Sequence, residues 1–236
     1  MLEGGWEFTE GFPDPLLGKK HVYEIYQEAD AGYTGRASVP VLWDKQRATI
    51  VSNESADIIR MLNSAFDDSV ADAGIDLYPA PHREEIDRIN AVVYDTVNNG
   101  VYKSGFATTQ AAYEDAVTAL FATLDELEDR LGRQRYLVGA QPTEADWRLF
   151  TTLVRFDAVY VGHFKCNVRR IADYPNLSGY LRELYQMPGI AGTVDIGYIK
   201  QHYYGSHRSV NPTGIVPVGP MLDLDSPHRR DSLQAA

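Results

Sequence analysis

Cysteine is almost missing from this chain: Cys166 is its one thiol, so no internal disulfide can form, which fits a reducing cytoplasm. Basic charge is also scarce, with 22 Lys and Arg against 33 Asp and Glu and a net charge of −11. No run of Lys and Arg reverses that balance locally, so a polyphosphate backbone would be repelled and nucleic acid is not expected as a partner. Long apolar runs are lacking too. The most apolar stretch, residues 149–164, is broken by Arg155 and Asp157, which argues against a membrane span. Residues 1–20 carry Glu3, Glu7, Glu10 and Asp14 and no apolar core, so they do not read as a signal peptide. The 6 histidines show no His-Glu-x-x-His spacing, and with one cysteine no metal site is expected.

What the chain does have is apolar and aromatic material: 44% hydrophobic residues and 15 tyrosines, enough to bury a core and to argue against disorder. Residues 1–20 are rich in Gly and Pro and read as irregular. Val22, Ile25 and Tyr26 recur at helical spacing, predicting a short helix that ends before Gly32. Two β-like segments, 38–43 and 48–51, flank a charged turn and read as a hairpin, with Pro40 inside the first. Asn53 is placed to cap a helix with the apolar face Ile58, Ile59, Leu62 and Phe66.

The acidic, proline-containing stretch 67–81 reads as a linker, and the remainder is helical almost to residue 204. Ile86, Ile89, Val93 and Val97 mark one helix; Ala116, Leu120, Leu124, Leu127 and Leu131 mark a longer one that stops at Gly132. Thr143 and Asp146 form a capping box ahead of Leu149, Leu153, Phe156 and Tyr160. Pro175 opens another helix through Leu177, Leu181 and Leu184, and Pro188 closes it. Arg155 and Asp157, inside an apolar helix, are expected to be paired internally rather than catalytic. The sum is an α+β chain, mostly α: a small α/β piece, then an all-helical bundle.

Several stretches together resemble one family. These are residues 35–44, Ser52-Asn53-Glu54-Ser55, residues 94–102, residues 143–155, His163-Phe164-Lys165-Cys166 and Asn211-Pro212-Thr213-Gly214-Ile215. In that order they resemble the xi-class glutathione transferases, the glutathionyl-hydroquinone reductases, over nearly the whole chain. The resemblance implies a glutathione-transferase fold: residues 1–67 as a partial, truncated thioredoxin-like lobe that holds glutathione, residues 82–204 as the all-helical C-terminal domain, and residues 205–236 as an extended arm. It also implies a cytoplasmic homodimer that acts on glutathionyl-hydroquinones with glutathione as co-substrate.

Physical sense can be made of the glutathione half. A cis Val39-Pro40 bond would present the backbone of Val39 to a peptide-like ligand as an added strand. Glu54 and Ser55 sit at a helix start, where the dipole favours a carboxylate and Glu54 can meet an ammonium. By resemblance Trp6 and Arg36 line the same site, Arg36 being suited to a carboxylate. Also by resemblance, Tyr102 and Tyr203 hydrogen-bond the hydroquinone oxygen and supply its proton, with Tyr160 and His163 adding to the wall.

One part of the family pattern is not in this sequence. The family's nucleophile is a cysteine followed by proline, several tens of residues ahead of Trp6, and the expectation is a truncated N-terminus. Its thiolate would attack the glutathionyl sulfur, and a second glutathione would free it by exchange. Cys166 reads as structural. The competing reading is a non-catalytic glutathione-transferase-like protein kept for binding or dimerisation.

Overall fold

A computed structural model describes residues 5–66 and 74–233, which divide into two compact units, Met1–Asp76 and Leu77–Ala236. That division falls within the stretch read as a linker, part of which, residues 67–73, lies outside the described residues.

In the first unit, α1 (Val22–Ala29) buries Val22, Ile25 and Tyr26 and is started by the Glu24 carboxylate, which accepts from the His21 N–H at 2.7 Å. The hairpin is shorter than its sequence pattern suggests. Strands β1 (Leu42–Asp44) and β2 (Thr49–Ser52) pair antiparallel, Trp43 opposite Ile50, with a bulge beside Leu42. Pro40 therefore precedes the strand rather than lying in it, and having no N–H it has nothing to give a ladder. Asp44 closes the turn by accepting from the Gln46 and Arg47 N–H groups at 2.8 and 3.0 Å.

Helix α2 (Ser55–Ser64) corrects two expectations. Its cap is Glu54, whose carboxylate accepts from Ala56 N–H at 3.3 Å, not Asn53. The Asn53 amide instead donates to the Tyr26 hydroxyl at 3.0 Å and to Ser38 Oγ at 3.2 Å, tying α1 to the segment that carries Val39. Of the expected apolar face only Ile58 is buried; Ile59, Leu62 and Phe66 are exposed.

The second unit is helical throughout its regular parts. Helix α3 (Arg83–Val93) runs through a π turn at Tyr94–Asn98, where Asn99 N–H reaches the Tyr94 carbonyl, into α4 (Gly100–Gly105). Then comes α5 (Gln110–Leu131), capped by Thr109 and stopped at Gly132. A second interrupted run joins α6 (Glu144–Arg155), a π turn at Phe156–Tyr160 and the short α7 (Val161–His163). Helices α8 (Pro175–Tyr185) and α9 (Ile196–Ser206) complete the set. Ile86, Ile89, Val93, Val97, Leu120, Leu124, Leu149, Leu153 and Leu177 all point into one core, as their three- and four-residue spacing requires. Gly105 permits the close approach of α4 to Phe164, because a Cβ there would collide with that ring.

Residues 207–233 have no regular structure, yet they are not a free arm. Arg230 is buried, pairs with Glu183 at 3.1 Å and donates to the carbonyls of Leu131, Asn176, Gln134 and Arg135. Lys200 on α9 holds the Val218 carbonyl at 2.7 Å. Asp157 and Arg155 are both paired internally, with backbone groups. Asp157 accepts from the Ile171 and Ala172 N–H groups, while Arg155 donates to the Thr151 carbonyl, because a carboxylate at a short helix start satisfies orphan amides.

Asp146 is the polar centre of this unit. The side chain is fully buried and accepts from Leu137 N–H (2.9 Å), Thr143 N–H (2.7 Å), Thr143 Oγ (3.0 Å) and Tyr180 Oη (2.7 Å). Thr143 and Asp146 form the capping box that starts α6. Asp146→Ala leaves those buried donors unmet and is expected to cost more than about 3 kcal/mol, read by urea unfolding; a loss under about 1 kcal/mol would show the carboxylate to be dispensable.

Candidate functional site

Within the first unit, the residues read as a glutathione site lie on the surface. Trp6 is held at the entry to α1 by the bond from Val22 N–H to its carbonyl, at 3.0 Å. Arg36 is exposed, and its carbonyl accepts from Tyr33 Oη at 2.9 Å. The Val39-Pro40 bond is cis and Val39 is exposed. Glu54 and Ser55 are both exposed at the start of α2. The exposed backbone at Val39, a helix start and a guanidinium are groups that suit a small peptide bearing carboxylates, and the Glu54 carboxylate suits an ammonium.

Within the second unit, the two interrupted helices bring three phenols together. Tyr102 on α4 and Tyr203 on α9 have their hydroxyls 2.6 Å apart, and Tyr160, at the end of the second π turn, reaches Tyr203 at 2.9 Å. Tyr203 is thus the hub. Three hydroxyls carry three protons and two contacts use two of them, so one donor is left over. Tyr160 and Tyr203 are 2% and 7% exposed, whereas Tyr102 is 37% exposed, which places the spare donor on Tyr102. Burial pushes the Tyr102 phenol above its ordinary range, with Tyr203 adding to the effect, and pushes Tyr160 well above it. Both are therefore proton donors at neutral pH rather than bases.

Rings wall this cluster. Phe164 stacks on Tyr160 at 5.5 Å and lies 5.4 Å from Tyr102, and Phe106 is parallel to Tyr102 at 6.5 Å. His163 does not face outward as a wall residue would. It is buried, and its Nε2 lies 3.2 Å from Nδ1 of His207. His202 packs edge-on against Tyr203. Sequence reasoning missed His207, since its partner His163 lies 44 residues away and no local spacing reveals the pair.

Comparison with known proteins identifies the family and the fold. The family described as "Glutathione S-transferase, C-terminal domain" matches residues 110–183. The glutathionyl-hydroquinone reductase PcpF of Sphingobium chlorophenolicum is 60% identical over 227 residues, covering 95% of this chain and 72% of that protein. The glutathionyl-hydroquinone reductase YqjG of Escherichia coli (strain K12) is 58% identical over 235 residues, covering 98% of this chain and 71% of its own length. Its glutathione-bound structure superposes with a TM-score of 0.95 at 57% identity, covering 98% of this chain and 76% of that one. The glutathione transferase Xi 1 structure from Trametes versicolor follows with a TM-score of 0.89 and 54% identity, over 92% and 78% of the two chains. The chain belongs to the xi-class glutathione transferases, the glutathionyl-hydroquinone reductases. Its fold is the α+β glutathione-transferase fold, mostly helical with a small two-stranded sheet.

For a xi-class enzyme the state of the thiol matters. Cys166 is fully buried, and burial pushes its thiol up to about 12, so it stays protonated and shielded at neutral pH. It is not the reactive thiolate of this family's chemistry. No helix among the described residues is long and apolar enough to cross a membrane.

The histidines beside the phenols make stability depend on pH. Burial, with His207 adding to it, lowers His163 to about 4, so below its ordinary 6.5 the unfolded chain binds a proton that the folded chain refuses. Stability is then full above about pH 6.5 and lost as pH falls toward 4, by up to about 3 kcal/mol. Chemical denaturation across pH 7 to 4 should show that loss, and His163→Phe should flatten it; an unchanged slope in the variant would assign the loss to other groups.

Proposed function

We propose that this chain supplies the glutathione-holding and quinol-holding groups of a glutathionyl-hydroquinone reductase. The observation that carries the reading is the phenol cluster with its one spare proton on Tyr102, in a chain of this family. Trp6, Arg36, Val39, Pro40, Glu54 and Ser55 take the glutathione moiety. Tyr102 and Tyr203 take the hydroquinone oxygen, Tyr160 backs Tyr203, and His163, buried against His207, supports the ring wall. Action on hydroquinones, a cytoplasmic location and a homodimeric state belong to the same proposal and are carried by the resemblance.

The sequence served is the reductive cleavage of an aryl thioether, completed by a thiol–disulfide exchange. A thiolate bonds to the glutathionyl sulfur, the bond from sulfur to the ring breaks with its electron pair going to the ring, and a proton completes the hydroquinone. A second glutathione thiolate then attacks the mixed disulfide, giving oxidised glutathione and the free thiolate. Neutral phenols suit the proton-donating half of this sequence. The 236 residues hold no Cys-Pro pair, and Cys166 is buried, so the attacking thiolate comes from outside these residues.

Calorimetry with this chain should find a glutathionyl-hydroquinone bound more tightly than glutathione, and Tyr102→Phe should weaken that complex about tenfold. Release of hydroquinone should run no faster than with glutathione alone in solution, and Cys166→Ser should not alter it. Full affinity in Tyr102→Phe, or turnover that depends on Cys166, would contradict the reading.

A further inference from the structure

A cleft of about 220 Å³ lies between α6, α8 and the tail residues 220–224, and it shares no lining residue with the phenol cluster. The tail segment is pinned on both sides of it: Lys200 Nζ donates to the Val218 carbonyl and the Gln186 amide to the Leu224 carbonyl, each at 2.7 Å. Leu153, Val154, Leu181 and Leu222 make the lining largely apolar. An apolar cavity of about 150 Å³ accepts benzene, so this cleft has room for one ring and a small substituent.

Asp157, Arg170, Arg182 and Asp223 also line the cleft. Three of these charges are committed. Asp157 accepts from the Ile171 and Ala172 N–H groups, Arg170 is paired with Asp173, and Asp223 accepts from the Ser226 N–H at 3.2 Å. Arg182 is the exception: its Nε is buried with no hydrogen-bond partner, and its guanidinium meets no carboxylate among the described residues. A buried donor without an acceptor is a standing cost, which an acceptor entering the cleft would remove. A planar guanidinium with open donors matches a carboxylate, which can take two parallel bonds from it.

We propose that this cleft binds a small carboxylic acid with a compact apolar body, of benzoate size, its ring against Leu153, Leu181 and Leu222 and its carboxylate on Arg182. The backbone amides that hold Asp157 and Asp223 offset the charge of those two groups, so the unspent cation sets the preference for an anion. The site stands whether or not the phenol cluster takes a quinol.

The probes are benzoate, its neutral isostere benzamide, and acetate, titrated into the full chain and followed by nitrogen-15 NMR, in which the Arg182 Nε–H gives its own signal. Benzoate should bind about tenfold more tightly than benzamide, the worth of one charge-assisted hydrogen bond, and should move the Arg182 signal. Acetate, with no ring to bury, should bind more weakly than benzoate. Arg182→Met keeps an apolar stem of similar length. It should bring benzoate down to the benzamide affinity and leave the urea midpoint no lower, because no native partner is lost. Equal affinities for benzoate and benzamide, a benzoate preference that survives in Arg182→Met, or a lowered midpoint in that variant would overturn the proposal. So would the absence of benzoate binding at about 10 mM, as when a second copy of the chain covers the cleft.

Discussion

The carboxylate of Asp146 is the constraint on which the helical unit turns. Buried with no cationic partner among the described residues, it is held by donors from three places: the 137–143 connection, the start of α6 and Tyr180 on α8. A buried carboxylate can be kept only where such donors converge, so its position fixes where α6 begins. From there the helix counts forward. Leu149 and Leu153 enter the core, Phe156 begins the π turn, and Tyr160 arrives with its hydroxyl 2.9 Å from that of Tyr203. A change at Asp146 would reach the phenols through helix register, without touching them.

The other interrupted helix does the same for Tyr102. The π turn at Tyr94–Asn98 shifts the register of α4, and the bare Gly105 lets that helix close on Phe164. π turns are costly departures from α geometry and occur often at functional sites. Here each of the two precedes or contains a phenol of the cluster. The cluster is apolar in its walls and polar only at three hydroxyls, and burial keeps the Tyr102 and Tyr160 phenols protonated. On the proposed reading it holds a flat ring and hands it a proton, while the thiolate chemistry of the family needs a residue elsewhere.

Much of this was legible in the sequence because it depends on local spacing. The three- and four-residue recurrences gave the buried faces of α3, α5, α6 and α8, and Thr143 with Asp146 announced the start of α6. What was not legible depends on partners distant in sequence. Asn53 looked like a cap, but the Tyr26 hydroxyl outcompetes the helix start for its amide, and Glu54 takes the cap. Ile59, Leu62 and Phe66 have helical spacing yet stay exposed, since periodicity shows a face but not what covers it. Internal pairing of Arg155 and Asp157 was legible, but not that the partner of Asp157 is a turn 14 residues on. The tail reads as an extended, non-helical arm by composition, and that it is anchored by one buried arginine, Arg230, was not legible there. The phenol cluster itself joins residues 101 apart, and only the family resemblance had singled them out.

The most direct test is a crystal structure of this chain soaked with a hydroquinone. The expected result is a ring beside Phe106 and Tyr102 with one oxygen within about 3 Å of the Tyr102 hydroxyl, and the contacts among Tyr102, Tyr203 and Tyr160 retained. A quinol bound elsewhere, with the three hydroxyls meeting only one another and water, would contradict the assignment of the cluster.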